Sequence, residues 1–139
     1  MKQAPSFTLS SVQTKESWSL DQCMGQAVML TFWTSWCPDS RVDLSLKQRL
    51  FQAMDQSKLQ MIMVNVTARE RIEDVESFVN EQGYTFPVLL DEGRTVYDLY
   101  DCKGVPTTVL LNSHHEVVSV FGEQASFQEV TEGLVPLLT

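Results

Sequence analysis

The run Trp36, Cys37, Pro38, Asp39, Ser40 closes an apolar, strand-like segment, and it is where this sequence could do chemistry. Two cysteines spaced Cys-x-x-Cys between a strand and a helix make a dithiol redox site. Here Cys37 holds the first position and Ser40 the second. The segment therefore points to thiol–disulfide exchange in a chain that cannot close a disulfide within its own motif. The attacking species in such exchange is the thiolate. A helix opening near Cys37, with Pro38 in its first turn, would favour that thiolate through the helix dipole and free N–H groups. Asp39 works against it, because a second negative charge nearby is disfavoured, and Arg41 is placed to offset Asp39. Ser40 can hydrogen-bond the Cys37 sulfur but cannot resolve a mixed disulfide, so a covalent complex at Cys37 persists until an external thiol releases it. Ser40 is then either the natural residue of a monothiol enzyme or binding protein, or a Cys→Ser replacement in a dithiol site.

Other side chains carry weaker signals. Asp43 lies one helical turn beyond Ser40, so the two should be neighbours. It is either an acid/base for a thiol at position 40, or for Cys37 through water, or a solvated helix carboxylate. Cys23 and Cys102 occupy positions that read as apolar core, where a free cysteine behaves as a small hydrophobe. Either could resolve Cys37 only if its Cα came within about 7 Å. His114 and His115 read as exposed residues of a hairpin turn, and no further ligands stand at a spacing suited to a metal. No motif calls for a cofactor. The acidic stretch from Glu70 to Glu76 reads as a solvated helix face.

The elements that must position Cys37 follow from the hydrophobic pattern. Residues 27–33 are apolar almost throughout, which suggests a central strand buried on both faces. In the helix after Cys37, Val42, Leu46, Leu50 and Met54 recur at four-residue spacing and predict one buried stripe. Residues 59–66 form the next strand. A helix spans 70–82 with Ile72, Val75, Phe78 and Val79 on one side, closed by Gly83 as a C-terminal cap. Residues 86–90 are a short strand, 91–93 a turn and 94–100 a short helix. Residues 107–111 and 117–121 pair as a hairpin, and segments 7–9 and 17–20 are short strands near the N-terminus. Ser126 and Glu129 form a capping box that opens a last helix carrying Phe127, Val130 and Leu134, which Pro136 should kink or end. The whole is an α/β sandwich around a mixed sheet.

At 139 residues the chain reads as a single domain, 1–139, large enough to bury a core without staples. The net charge of −8 argues against a nucleic-acid binder, since phosphate contacts need clustered Lys and Arg. Three cysteines leave at least one thiol outside any intrachain pair. No stretch is long and apolar enough for a transmembrane helix, and no secretory signal pattern opens the chain. That suits a cytoplasmic protein or a chain whose export signal has been removed.

Two motifs then converge on a family. Phe32, Trp33, Thr34, Ser35, Trp36, Cys37 resembles the Phe-Trp-x-x-Trp-Cys signature of thioredoxins, and Gly104, Val105, Pro106, Thr107 resembles their Gly-Val/Ile-Pro-Thr segment. Residues 65–91, with Phe86, Pro87, Val88 and Asp91, resemble the strand–helix insertion of the TlpA/ResA-like branch. The resemblance covers roughly 7–138. It implies a thioredoxin fold with an N-terminal strand extension, Cys37 as the attacking cysteine and Pro106 as a cis-proline. Trp36, Pro38, Val105 and Pro106 would frame the substrate, with the Val105 backbone pairing to an extended segment. Asp43 would correspond to the acidic residue that handles protons at the thiols in that branch. The resemblance also implies protein disulfide or dithiol substrates, an upstream thiol reductant, and an extracytoplasmic setting with a membrane tether outside the given chain. Ser40 departs from the family pattern, as does Ser45, which stands where many thioredoxins have a helix-kinking proline. Two other readings stand beside this one: a non-catalytic or monothiol binding module of the same fold, and a peroxiredoxin-like peroxidase suggested by the Thr34-x-x-Cys37 spacing, against which Leu30 replaces that family's proline.

Overall fold

The computed structural model describes residues 2–138. Eight strands form one mixed sheet in the order β1-β8-β7-β4-β5-β6-β2-β3. In chain order these are β1 (Lys2–Gln3), β2 (Thr8–Ser11), β3 (Ser17–Ser19), β4 (Ala27–Trp33), β5 (Leu59–Asn65), β6 (Val88–Leu90), β7 (Thr107–Leu111) and β8 (Glu116–Phe121). The helices are α1 (Pro38–Ala53), α2 (Ile72–Gln82), α3 (Thr95–Leu99) and α4 (Phe127–Leu138). The pairs β4–β5 and β5–β6 are parallel, with α1 and α2 as their crossovers, and all other pairs are antiparallel.

β4 is buried at every residue, as its unbroken apolar run predicts. Alternate side chains feed two cores. Val28, Leu30 and Phe32 join Phe7, Leu9, Cys23, Val96, Tyr100 and Cys102 on one face. Met29 and Trp33 join Leu44, Val75, Val79, Val130 and Leu134 on the other, under α1, α2 and α4. Gly83 caps α2 in the left-handed region, φ 68°, and Ser126 and Glu129 exchange their two capping hydrogen bonds at 3.1 Å each.

Several expectations are corrected. The stripe Val42, Leu46, Leu50, Met54 is not the buried face of α1: Val42 is 63% exposed, and Ser40, Leu44, Lys47 and Gln48 face inward instead. A four-residue row drifts by about 40° per step around a helix with 3.6 residues per turn, so its two ends cannot face one core. Leu50 and Met54 do pack on the sheet. Ile72 is 51% exposed at the start of α2, while Val75 and Val79 are buried. α4 continues through Pro136 to Leu138, because Leu134, Leu137 and Leu138 hold its last turns against the sheet. His115 is buried, whereas its neighbour His114 is exposed. His115 Nε2 lies 3.0 Å from the Cys23 carbonyl oxygen, an attachment across the fold that turn chemistry alone does not reveal. β1, which pairs with β8, has too few residues to show a pattern in sequence.

Candidate active site

The register of the sheet assembles the site. Phe32, near the end of β4, pairs with Thr107, the first residue of β7. The loop leaving β4 and the Val105–Pro106 segment entering β7 therefore meet at one edge. Trp33 pairs with Asn65 on the other side, which brings the turn after β5 to the same place.

Cys37 is the N-cap of α1, with extended backbone (φ −88°, ψ 118°), and Pro38 opens the first turn. The side chain makes no capping hydrogen bond to the helix N–H groups, so the helix end acts on the sulfur through its dipole. The thiol is half-buried, and its Sγ lies 3.8 Å from the Val105 carbonyl oxygen. The Val105–Pro106 peptide bond is cis. Trp36 is 52% exposed. Cys37, Trp36 and Val105 border one groove of about 310 Å³. Of the remaining substrate-framing residues expected from sequence, Pro38 is exposed beside Cys37 and Pro106 is buried behind Val105.

Ser40 is fully buried, and its Oγ accepts a hydrogen bond from the Thr34 N–H at 3.4 Å. Its partner is thus the loop before the motif; among the described residues no hydrogen bond joins it to Cys37 Sγ. Arg41 does not face Asp39: its Nε donates to the Ser35 carbonyl at 2.5 Å and its guanidinium lies 5.4 Å over the Phe78 ring.

Asp43 is no solvated carboxylate. Its Oδ2 is 2.7 Å from Nζ of Lys47, one turn along α1. Lys47 is fully buried against the sheet, and its ammonium also donates to Thr31 Oγ1 at 2.8 Å and Thr108 Oγ1 at 2.6 Å. Two N–H donors thus meet hydroxyl oxygens while the carboxylate of Asp43 supplies the opposite charge, conditions under which a buried ammonium is tolerated. Burial pushes the Lys47 ammonium below its ordinary range, and the Asp43 charge opposes that shift. Thr31 and Thr108 pair across β4 and β7, so this polar cluster lies between the sheet and the middle of the active-site helix.

Glu70 also departs from expectation. It precedes α2 and accepts hydrogen bonds from the Ser35 N–H at 3.0 Å, the Ser35 hydroxyl, and Asn65 Nδ2 at 2.8 Å. It clamps the Thr34–Trp36 loop to the end of β5. Glu70 and Asn65 were invisible as site residues in sequence, because isolated polar residues read as surface, and Arg41, read as the counter-charge to Asp39, binds the Ser35 carbonyl instead. The available signal was the register that sets Trp33 beside Asn65.

Cys23 and Cys102 are buried and unpaired, as read from sequence. Burial pushes the Cys23 thiol up to about 11 and the Cys102 thiol up to about 12. Among the described residues, no group of three or more His, Cys, Asp or Glu side chains is disposed to hold a metal ion.

Comparison with known proteins gives the family of the chain. Residues 1–120 match the AhpC/TSA family. The thiol-disulfide oxidoreductase ResA of Halalkalibacterium halodurans is 33% identical over 131 residues, covering 94% of this chain and 73% of that one. ResA of Bacillus subtilis is 32% identical over 117 residues, 84% of this chain and 64% of that one. The crystal structure of StoA from Bacillus subtilis superposes with a TM-score of 0.79 at 27% identity, over 92% of this chain and 95% of that one. The chain belongs to the AhpC/TSA family and, within the thioredoxin superfamily, to the TlpA/ResA-like thiol–disulfide oxidoreductases.

Proposed function

We propose that Cys37 is the nucleophile of a single-domain thiol–disulfide oxidoreductase that lacks its own resolving thiol. The observation that carries this reading is the placement of Cys37 as the N-cap of α1 on a groove rim, with buried Ser40 at the second motif position. The Cys37 thiolate attacks one sulfur of a protein disulfide. A bond forms between Cys37 and that sulfur, and the other sulfur leaves as a thiolate that takes up a proton. Ser40 has no sulfur with which to displace the client, so the mixed disulfide waits for an outside thiol. Trp36, Pro38, Val105 and Pro106 frame the client, and the Val105 backbone offers it strand-like pairing.

Asp43 acts in this scheme as the counter-charge that holds Lys47 between α1 and the sheet. Any proton it moves toward the motif moves from within that ion pair. The setting is extracytoplasmic, with protein thiols as clients and an upstream thiol as reductant, in line with relatives named as ResA; among the described residues no helix is long and apolar enough to cross a membrane.

Reduction of insulin disulfides with excess dithiol tests the reading, comparing this chain with Ser40→Cys. Turnover should rise at least about tenfold when a resolving thiol is restored. Equal inactivity of both, with Cys37 slow to alkylate, would favour a docking module that uses the Trp36 lip without chemistry.

A further inference from the structure

The groove beside Cys37 carries a guanidinium that no described residue pairs with, in a protein of net charge −8. Arg69 and Arg94 line it with Trp36, Tyr97 and Val105, and Glu123 is its one acid among the described residues. Arg94 is fixed in place: its guanidinium lies 5.1 Å over the Tyr97 ring and is gripped from one side by Asp98 at 2.8 Å. Arg69 ends the short helical turn Thr67–Arg69 and is exposed, and its guanidinium has no hydrogen bond or ion pair with any described residue. The Val105 N–H likewise donates to none of them, and its carbonyl meets only the Cys37 thiol. Beside one sulfur, then, stand a free guanidinium, a second guanidinium and an open peptide unit. The groove, about 310 Å³, lies at the small end of the range for ligand sites, which begins near ~300 Å³. That suits two or three residues of peptide better than a folded client.

We propose that this groove binds a small peptide thiol bearing carboxylates, and that the substrate is a mixed disulfide between such a thiol and a protein cysteine. The proposal rests on Cys37 being the nucleophile. The small half of the substrate lies in the groove with a carboxylate on Arg69, and its backbone pairs with Val105. The Cys37 thiolate attacks the small thiol's sulfur, forming a new S–S bond, and the protein cysteine leaves as a thiolate and is protonated. A second molecule of the small thiol then attacks the adduct, freeing Cys37 and carrying away the small disulfide. One mixed disulfide is reduced, two small thiols end joined, and no second protein thiol takes part. Serine at position 40 is compatible with every step.

The test uses one peptide blocked at its cysteine by glutathione, a tripeptide with two carboxylates, and the same peptide blocked by glutathione diethyl ester. Release of the free peptide thiol is followed with this chain and the matching small thiol as reductant. The acid adduct should be released about tenfold faster, the worth of one charge-assisted hydrogen bond. The ratio should fall toward one in Arg69→Gln and in high salt. Equal rates for the two adducts overturn the groove assignment and leave Cys37 as nucleophile. A ratio that survives both Arg69→Gln and Arg94→Gln also overturns it. Release of neither adduct removes the groove assignment together with the Cys37 reading.

Discussion

Cys37 and Cys102 each line a groove that Gly104 also borders, yet the fold treats them as different chemicals. Cys37 caps a 16-residue helix and opens onto a groove. Cys102, like Cys23, is packed with Phe7, Phe32 and Tyr100 on one face of the sheet. Around Cys37 the polar groups are ordered in pairs: Ser35 and Asn65 on Glu70, Thr34 on Ser40, Asp43 on Lys47. Around Cys23 and Cys102 burial dominates, and both thiols are held neutral well above the usual thiol range. Residue type does not decide reactivity here. The element that carries the thiol does.

The sharpest way to break that contrast is to remove the sulfur at the rim. Cys37→Ala should abolish covalent capture of a peptide disulfide, read by non-reducing electrophoresis, with Cys23 and Cys102 still present. Capture by either would collapse the distinction.

A smaller but large effect is expected in the support beneath the helix. Asp43→Asn leaves the Lys47 ammonium buried without its counter-charge, and removing one partner of a buried pair costs about 3–5 kcal/mol. Denaturant unfolding should show that loss, and Lys47→Met combined with Asp43→Asn should recover much of it.

The interior thiols make their own contribution with pH. Their folded pKa values lie above the unfolded value of 9.0, so the stability they add is complete below pH 9 and is lost as pH rises through about 11 and about 12. In that window the unfolded chain binds fewer protons than the folded one, and each group lowers stability by up to about 1.4 kcal/mol per pH unit. Lys47 has the opposite sign, because its folded value is depressed: the penalty of burying its charge is relieved as pH climbs toward 10.5. Denaturation series between pH 8 and pH 11 (chosen to span the onset) should show the alkaline slope flatten in Cys23→Ala with Cys102→Ala. An unchanged slope would remove the thiols from the account.

The mildest change is at the loop clamp. Glu70→Gln keeps the shape but loses the charge that accepts from Ser35 and Asn65, worth about 1–3 kcal/mol of loop order. Alkylation of Cys37 should change several-fold in rate, while the protection of Cys23 and Cys102 stays the same.

Much of this was legible in the sequence for physical reasons. The unbroken apolar run 27–33 could only be a strand covered on both faces, and the strand-to-helix step at Cys37 followed from Pro38. Gly83 and the Ser126/Glu129 pair announced their caps because capping depends on local chemistry. What stayed hidden depends on partners far along the chain. Lys47 reads as a surface cation until Thr31, Thr108 and Asp43 are brought to its nitrogen. Its burial also sets the rotation of α1 and turns Val42 outward. Glu70 and His115 reach their positions through tertiary contacts that neither periodicity nor turn preference encodes.

The most direct measurement is intact and peptide-level mass spectrometry of this chain after mixing with one equivalent of a peptide disulfide, without reductant. One adduct per chain is expected, mapped to Cys37, that persists until a thiol is added and fails to accumulate in Ser40→Cys. An adduct mapped to Cys23 or Cys102, or none under conditions where Cys37 alkylates freely, would contradict it.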